Sequence, residues 1–599
     1  MATFYIDPSL GANGVGSEAD PYNVWPSIAS SNTYLQRCGT TAYANVTAFG
    51  RSNVILGAYG SGANPVINGA TGIAFSASNS SNVTISDIDF LSTGNYAVSW
   101  NGGSSFSLSN SNILGARTGI NVTSSASAVA NVTLNNVVAR HTAATDEQSC
   151  AFFAAQSGNT LSNITITNST FSNGAGYGVQ MKAGDANSNS LITGVRIENN
   201  VMRGNGKIGL LITTGMTALS EAKITTNARV LRNTFTDNIG PGAVLTIRGG
   251  ISEVAYNDVS NNNTGALTGT GGLQLAGAYG VSVYGNTCNN NRTAFAYDGI
   301  GLYLDVAVSD LNNVGTEYCR VFSNICSNNN SYAPDAADVG SSNLSAGIAT
   351  FKSHNNVICG NVCVGNAAGV CIGAWSINNQ VYNNTLINNK FGVAILWNQP
   401  SHANVVQNNV VYGSTSHALI APATGTRATT GNITLSGTTG LVTCTSTAAD
   451  FTTHATGYAV SAGSGYGFVV SKTSNTEVVL QVLSAFSGTS FSHGNWTITA
   501  GGDQGSWSNY NNFFANAANV YLGAGQSVVV GANSQTTNPL LDASYRPTAA
   551  SPCLDAGTYI PGVRHYGGKR MSVVSPTIGA HGYYEARSVA DGRSVRMVG

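Results

Sequence analysis

Charged side chains are scarce in this 599-residue chain, where Asp, Glu, Lys and Arg together make up 9%. Against that background, Asp298, Asp305, Asp310, Glu317, Asp335 and Asp338 form a local concentration of acid. Two carboxylates astride a glycosidic bond can serve as acid and base, or as acid and nucleophile. Asp298 and Asp305 cannot be that pair on a straight strand, because seven residues at about 3.3 Å each set them about 23 Å apart. Asp305 needs a partner carried to it by a loop (Asp310, Glu317, Asp335 or Asp338) or by a neighbouring subunit. Asp305, Asp310 and Asp335 are therefore the candidate catalytic residues. A lyase would instead join carboxylate-held Ca²⁺ to a basic residue, with Lys352 and Arg248 as the candidates. Only isolated acids can be placed, so no metal or other cofactor is expected. Each acid alone also has a plain reading: Asp298 opens a turn before Gly299, and Asp335 and Asp338 solubilise a loop. Glu147 is an outlying alternative.

The elements that carry these residues align on a glycine. The set runs Gly178-Val-Gln-Met-Lys, Gly209-Leu-Leu-Ile-Thr, Gly242-Ala-Val-Leu-Thr-Ile-Arg, Gly272-Leu-Gln-Leu-Ala and Gly299-Ile-Gly-Leu-Tyr-Leu-Asp. It continues through Gly347-Ile-Ala-Thr-Phe-Lys-Ser, Gly369-Val-Cys-Ile-Gly-Ala-Trp and Gly392-Val-Ala-Ile-Leu-Trp-Asn. Aliphatic residues one and three places after the Gly point inward, so alternation sends positions two, four and six outward. The resulting stripe is expected to present Gln180, Lys182, Thr246, Arg248, Tyr303, Asp305, Phe351, Ser353, Trp375 and Asn398. Aromatic rings beside hydrogen-bonding and charged groups suit a carbohydrate, and we take Lys182, Arg248, Tyr303, Phe351, Lys352, Trp375 and Trp397 as its candidate contacts. Rings that stack on one another, or lie under a neighbouring subunit, are the competing reading.

What stacks these strands is a second phrase: a β-branched residue, polar residues, an Asn, then apolar residues. It reads Val-Leu-Arg-Asn-Thr-Phe at 230–235 and Val-Tyr-Asn-Asn-Thr-Leu at 381–386. The repeated Asn falls at Asn200, Asn233, Asn257, Asn286, Asn324, Asn361, Asn384 and Asn409. The shortest steps, Asn361 to Asn384, Asn233 to Asn257 and Asn384 to Asn409, are 23, 24 and 25 residues. A period in the low twenties without helical periodicity is a solenoid of β-coils, here a right-handed parallel β-helix. Stacked Asn amides satisfy each other and the turn backbone. Two steps, Asn286 to Asn324 and Asn324 to Asn361, lengthen to 38 and 37 residues. Their insertions flank the coils bearing Tyr303, Asp305, Lys352 and Trp375, and long loops on a rigid scaffold usually carry function.

Composition fits the class. Gly is abundant at 71, and a net charge of −1 offers no electrostatic support for nucleic acid or an anionic membrane. No apolar run approaches the length of a membrane span. Met1-Ala-Thr-Phe-Tyr-Ile-Asp-Pro has neither the basic region nor the apolar core of a signal peptide, so folding in a cytoplasm is expected. The Asn-X-Ser/Thr triplets at Asn82, Asn121, Asn131, Asn163 and Asn168 then read as strand-edge Asn. Cys288, Cys326 and Cys363 each follow a ladder Asn by two residues and should stack as buried thiols, with no zinc-site spacing nearby.

The ends of the chain carry a resemblance. Phe4-Tyr-Ile-Asp-Pro-Ser-Leu-Gly with Gly16-Ser-Glu-Ala-Asp-Pro-Tyr resembles the first coil of many right-handed β-helix proteins. Asn538-Pro-Leu-Leu-Asp, Ser551-Pro-Cys-Leu-Asp-Ala-Gly-Thr and Thr577-Ile-Gly-Ala-His-Gly-Tyr-Tyr resemble their closing segment. From 425 to 502 the Asn ladder stops, and short strands with Gly/Ser/Thr turns look like a small inserted β-domain similar to modules of phage tail proteins. The expected organisation is a β-helix with its capping coil over 1–424, the insert over 425–502, and final coils with the closing segment over 503–599. As a whole the chain resembles a bacteriophage tailspike or tail-fibre protein of the pectate-lyase-like β-helix type. That resemblance implies a homotrimer of the phage tail that folds in the host cytoplasm. It further implies contacts with other tail proteins and the binding, often the cleavage, of bacterial surface polysaccharide such as capsule or O-antigen. A non-catalytic adhesin or structural tail protein and a Ca²⁺-dependent lyase are the alternatives. The chain departs from the family in that the helix is expected to begin near residue 4, with no separate particle-anchoring domain. The family has no portable catalytic motif, so it assigns no residue here.

Overall fold

The computed structural model describes residues 1–140, 149–184, 190–214, 225–265, 271–292, 299–306, 314–330, 345–373, 375–395, 401, 403–421, 425–427, 429–451, 459–500, 504–522, 527–560 and 576–580. They form an all-β structure without a helix. From Tyr177 on, each coil contributes three short strands to three parallel sheets, and in some earlier coils these run together, as in Tyr96–Leu114. In the coil that starts at Arg229 these are Arg229–Leu231 (sheet I), Thr234–Thr236 (sheet II) and Ala243–Leu245 (sheet III). Every strand pairs in parallel with its counterpart one coil on, so Val230 meets Val254, Phe235 meets Val259 and Leu245 meets Leu275. One apolar column fills the tube, from Ile6 and Tyr34 through Trp100 and Phe153 to Leu419 and Phe513.

The turn between sheets I and II shows why Asn recurs. The Asn233 amide donates to Ile197 O at 2.9 Å and to Asn257 Oδ1 at 3.0 Å, while the Asn233 backbone N–H donates to that same Oδ1 at 2.9 Å. The preceding residue holds a left-handed conformation, as at Arg232 (φ 54), Tyr256 (φ 59), Ser323 (φ 57) and Asn383 (φ 52). Two further ladders run beside it. Asn205, Asn238, Asn262, Asn291, Asn329, Asn366 and Asn389 line the turn from sheet II to sheet III, bonded alike from coil to coil. Asn356, Asn379 and Asn404 serve the corner back to sheet I. Sequence inspection found only the first ladder, although each member from Asn200 to Asn384 is followed five residues later by a member of the second.

Cys288, Cys326 and Cys363 are paired in register along sheet II and wholly buried. Hydrogen bonding to Cys326 and burial push the Cys288 thiol well up, so Cys288 is an inert core thiol. Residues between 425 and 500 build a separate antiparallel sheet of eight strands, packed on its own core of Val442, Leu480, Trp496 and Ile498 among others. The helix resumes at Gln504–Asn509, which pairs with Val405–Gln407. Residues near the C-terminus then fold back along the tube: Thr558 and Gly579 bond Asn408, and Ile560 packs against Cys359 and Tyr382.

Candidate functional site

Sheet III positions the candidate residues, and its glycines explain the register. A Cβ at Gly209 would lie 2.5 Å from Gly242 O, one at Gly301 2.7 Å from Gly347 O, and one at Gly369 2.7 Å from Gly392 O. The column is therefore a line of close coil-to-coil approaches that only glycine tolerates. Gly301, not Gly299, is the member in the Ile300–Asp305 strand, a two-residue correction that leaves the in-out alternation intact. With it, Gln274, Tyr303, Ala349, Cys371 and Ala394 form one outward row, and Ala276 and Asp305 begin the next.

That outward face is not the exposed stripe expected from alternation. Tyr303 is 1% exposed, Asp305 5% and Arg248 8%. Tyr303 joins Ile300, Ala346, Ala349, Cys371, Phe391 and Ala394 in an apolar cluster separate from the tube core, with Phe351 at its margin. From Ala243–Leu245 to Phe391–Ile395 sheet III is thus buried on both faces, as a near-continuous apolar strand such as Ala368–Ile372 requires, whereas Gln180 and Lys182 on the earlier Tyr177–Ala183 strand stay part-exposed. Ser353 also leaves the stripe: it is wholly buried at the corner, its hydroxyl donating to Leu304 O at 3.0 Å.

Polar groups concentrate where sheet III gives way to the corner. Gln274 Nε2 donates to Asp305 Oδ2 at 2.6 Å, and Val306 N donates to Oδ1 at 2.7 Å, so both carboxylate oxygens accept. Lys352, one coil on, sets its ammonium over the Trp375 ring at 4.6 Å and the Phe351 ring at 5.3 Å. Burial lowers the Lys352 pKa, and the nearby Asp305 carboxylate opposes that shift. Lys352 and Trp375 both hold left-handed backbone (φ 48 and φ 52), a strained geometry for side chains of this size.

Beyond Asp305 the chain turns the corner to Glu317. Thr316 donates its hydroxyl to Asp305 O at 2.8 Å, pinning the chain just before Glu317 beside the Asp305 strand. Arg248, Tyr279, Glu317, His354 and Ile377 then occupy one corner position in successive coils. Burial pushes the Glu317 carboxyl above its usual range, opposed by Arg248. Arg248 lies over the Tyr279 ring at 5.4 Å and donates to Gly277 O at 2.8 Å. Burial also lowers the His354 pKa. The structure therefore brings Asp305, Phe351, Lys352 and Trp375 together, with Arg248 and Glu317 on the flanking corner and Tyr303 buried beneath. Lys182 lies on the Asp305 row but four coils away, about 19 Å at 4.8 Å per coil. Asp310, Asp335 and Trp397 lie outside the described residues, as do Asp298, Asp338, Asn398 and Glu147. Gln274, Tyr279 and His354 escaped the sequence reading; alignment on Gly301 places Gln274 beside Tyr303, a signal that was available.

Fold and site together define a parallel β-helix carrying a buried, hydrogen-bonded carboxylate next to a cation–aromatic cluster. Within it, residues 150–335 match the family described as "Right handed beta helix region". No curated protein matches the chain in sequence. Among solved structures, similarity extends to a tailspike protein variant of E. coli bacteriophage HK620 (13% identity, 83% of this chain and 85% of that one, TM-score 0.36). The Dettilon tailspike protein is similar at 11% identity over 83% of this chain and 93% of that one, TM-score 0.32. A lacto-N-biosidase from Eubacterium ramulus is similar at 9% identity over 66% of this chain, TM-score 0.34, and the match spans 64% of that protein, less than two thirds.

Proposed function

We propose that the chain is a tailspike-type protein of a phage tail that binds bacterial surface polysaccharide, capsule or O-antigen, and hydrolyses it at the sheet III corner. The reading joins the sequence resemblance to one observation: Asp305 held by Gln274 from the neighbouring coil, with Lys352 poised over Trp375 beside it. A buried carboxylate fixed by an amide is preorganised to stabilise positive charge developing at a sugar ring. Glu317, at the corner that follows Asp305 and with its pKa raised by burial, is the candidate acid for the departing oxygen. Phe351, Trp375 and Lys352 supply ring stacking and a cation for sugar hydroxyls or acidic groups. The homotrimer, the contacts with other tail proteins, the virion location and the folding in the host cytoplasm belong to the same reading. A non-catalytic adhesin is the second reading, favoured by both Asp305 oxygens already accepting bonds.

Reducing-end release from purified host capsule and lipopolysaccharide, with and without chelator, tests it. Wild-type release unaffected by chelator, reduced at least about 100-fold in Asp305→Ala and Glu317→Gln, supports the hydrolase. Release abolished by chelator favours a Ca²⁺-dependent lyase. Binding without release makes the protein an adhesin.

A further inference from the structure

At the N-terminal end of the helix the sheets start with an open edge. Thr41–Tyr43 is the first strand of sheet II and Val46–Thr47 the first of sheet III, and their partners in the next coil are Val66–Asn68 and Phe75–Ser86. In a parallel ladder, residues that bond one neighbour alternate with residues whose N–H and C=O face the other way. The amides of Ala44, Val46 and Ala48 donate to Asn68 O, Ala74 O and Ser76 O. The backbone groups of Tyr43 and Thr47 therefore face away from the next coil, and among the described residues no strand pairs with that side. A groove of about 520 Å³ lies along this edge, walled opposite by residues 23–28. Two large apolar side chains that line it are exposed: Tyr43 80% and Val24 58%.

Alternate N–H and C=O groups along an edge are the complement of another extended chain, and exposed flanking apolar groups add side-chain burial to that pairing. The groove walls do not close the edge themselves: Trp25 donates its indole N–H to Gln36 Oε1, and Ala29 N donates to Tyr34 OH. No Asp, Glu, Lys or Arg lines the groove, so a charged segment finds no counter-ion there.

We propose that this edge takes up an extended, uncharged polypeptide strand from another protein, with β-branched or apolar side chains toward Val24 and Tyr43, adding a rung to the solenoid. The site is remote from Asp305 and does not depend on how polysaccharide is handled there.

The test selects an uncharged 12-residue displayed peptide library on the full chain. We expect enriched sequences with alternating β-branched residues whose binding weakens at least tenfold in Tyr43→Pro, which removes an edge N–H that the helix itself does not use. Tyr43→Lys, which leaves the backbone intact, is expected to weaken them as much, and both variants keep the wild-type thermal midpoint. Hydrogen exchange on the complex should slow at the Tyr43 and Thr47 amides. Failure to enrich, binding that survives both variants, or binding with no slowing at those amides overturns the proposal. A neutral oligosaccharide that shifts Trp25 emission without that slowing assigns the groove to sugar and overturns it too. Polysaccharide release by the same variants is expected to equal wild type, which separates this outcome from the fate of the Asp305 site.

Discussion

Removing one rung of the Asn ladder measures what holds the turns. The Asn257 amide donates to Val230 O at 2.9 Å and Asn286 Oδ1 at 2.9 Å, and its oxygen accepts from Asn233 N at 2.9 Å and Asn233 Nδ2 at 3.0 Å. Asn257→Ala deletes all four bonds. The Asn233 Nδ2 keeps Ile197 O, and Asn286 Oδ1 keeps the Asn257 backbone N–H. The Asn233 backbone N–H loses its acceptor inside a residue only 1% exposed. One buried orphaned donor costs about 1–3 kcal/mol, and each of the three further net bonds about 1 kcal/mol, so the loss should be about 4–6 kcal/mol. Because a solenoid coil touches only its neighbours, that loss should be local. Amide hydrogen exchange should therefore rise most in the coils from Val230 to Asn286, with a smaller change in the global urea midpoint. The control is Asn112→Ala, an exposed amide that also bonds a neighbouring coil, through Asp89, and should cost about 0.5 kcal/mol or less. If Asn257→Ala opens its coils no more than Asn112→Ala does, stacking of strands rather than the amide ladder holds the turns, and the reasoning fails.

Other outcomes are equally direct. Gly369→Ala forces a methyl to 2.7 Å from Gly392 O and should destabilise by about 1–3 kcal/mol, seen as a lower thermal midpoint. Glu198 is nearly buried; burial raises its pKa, but Arg196 and Arg232 outweigh that and hold the carboxyl below its ordinary 4.5. A depressed folded value means stability present above 4.5 and lost as pH falls through the folded value, so Glu198→Gln should flatten stability against pH below 4.5. Lys352→Met keeps the stem but removes the charge over Trp375, and should weaken binding of an acidic polysaccharide about tenfold in titration calorimetry, with little change for a neutral one.

The fold was legible because a β-coil writes its period into the chain. Each coil must turn at the same places, each turn leaves backbone groups inside the tube, and Asn is the side chain that can both donate and accept there. The repeat at Asn233, Asn257 and Asn286 therefore announces parallel stacking before any coordinates exist. Strand alternation likewise separated Leu275 and Leu304 from Gln274 and Tyr303, even with the glycine register two residues off. Exposure was not legible in the same way. Alternation states that Tyr303 points out of the tube, not whether anything lies over it, and the outward row proves buried.

The site divides along the same line. Sequence alone determined that Asp305, Lys352 and Trp375 stand at the sheet III end of successive coils, since coil order and register follow from the repeat. Tertiary structure decided that Gln274 fixes the Asp305 carboxylate, that Lys352 sits over Trp375, and that Glu317 takes the corner position between Tyr279 and His354. Those contacts cross coils whose connecting loops differ in length, and a bond between residues 31 apart depends on where each loop returns the chain, which no local pattern encodes.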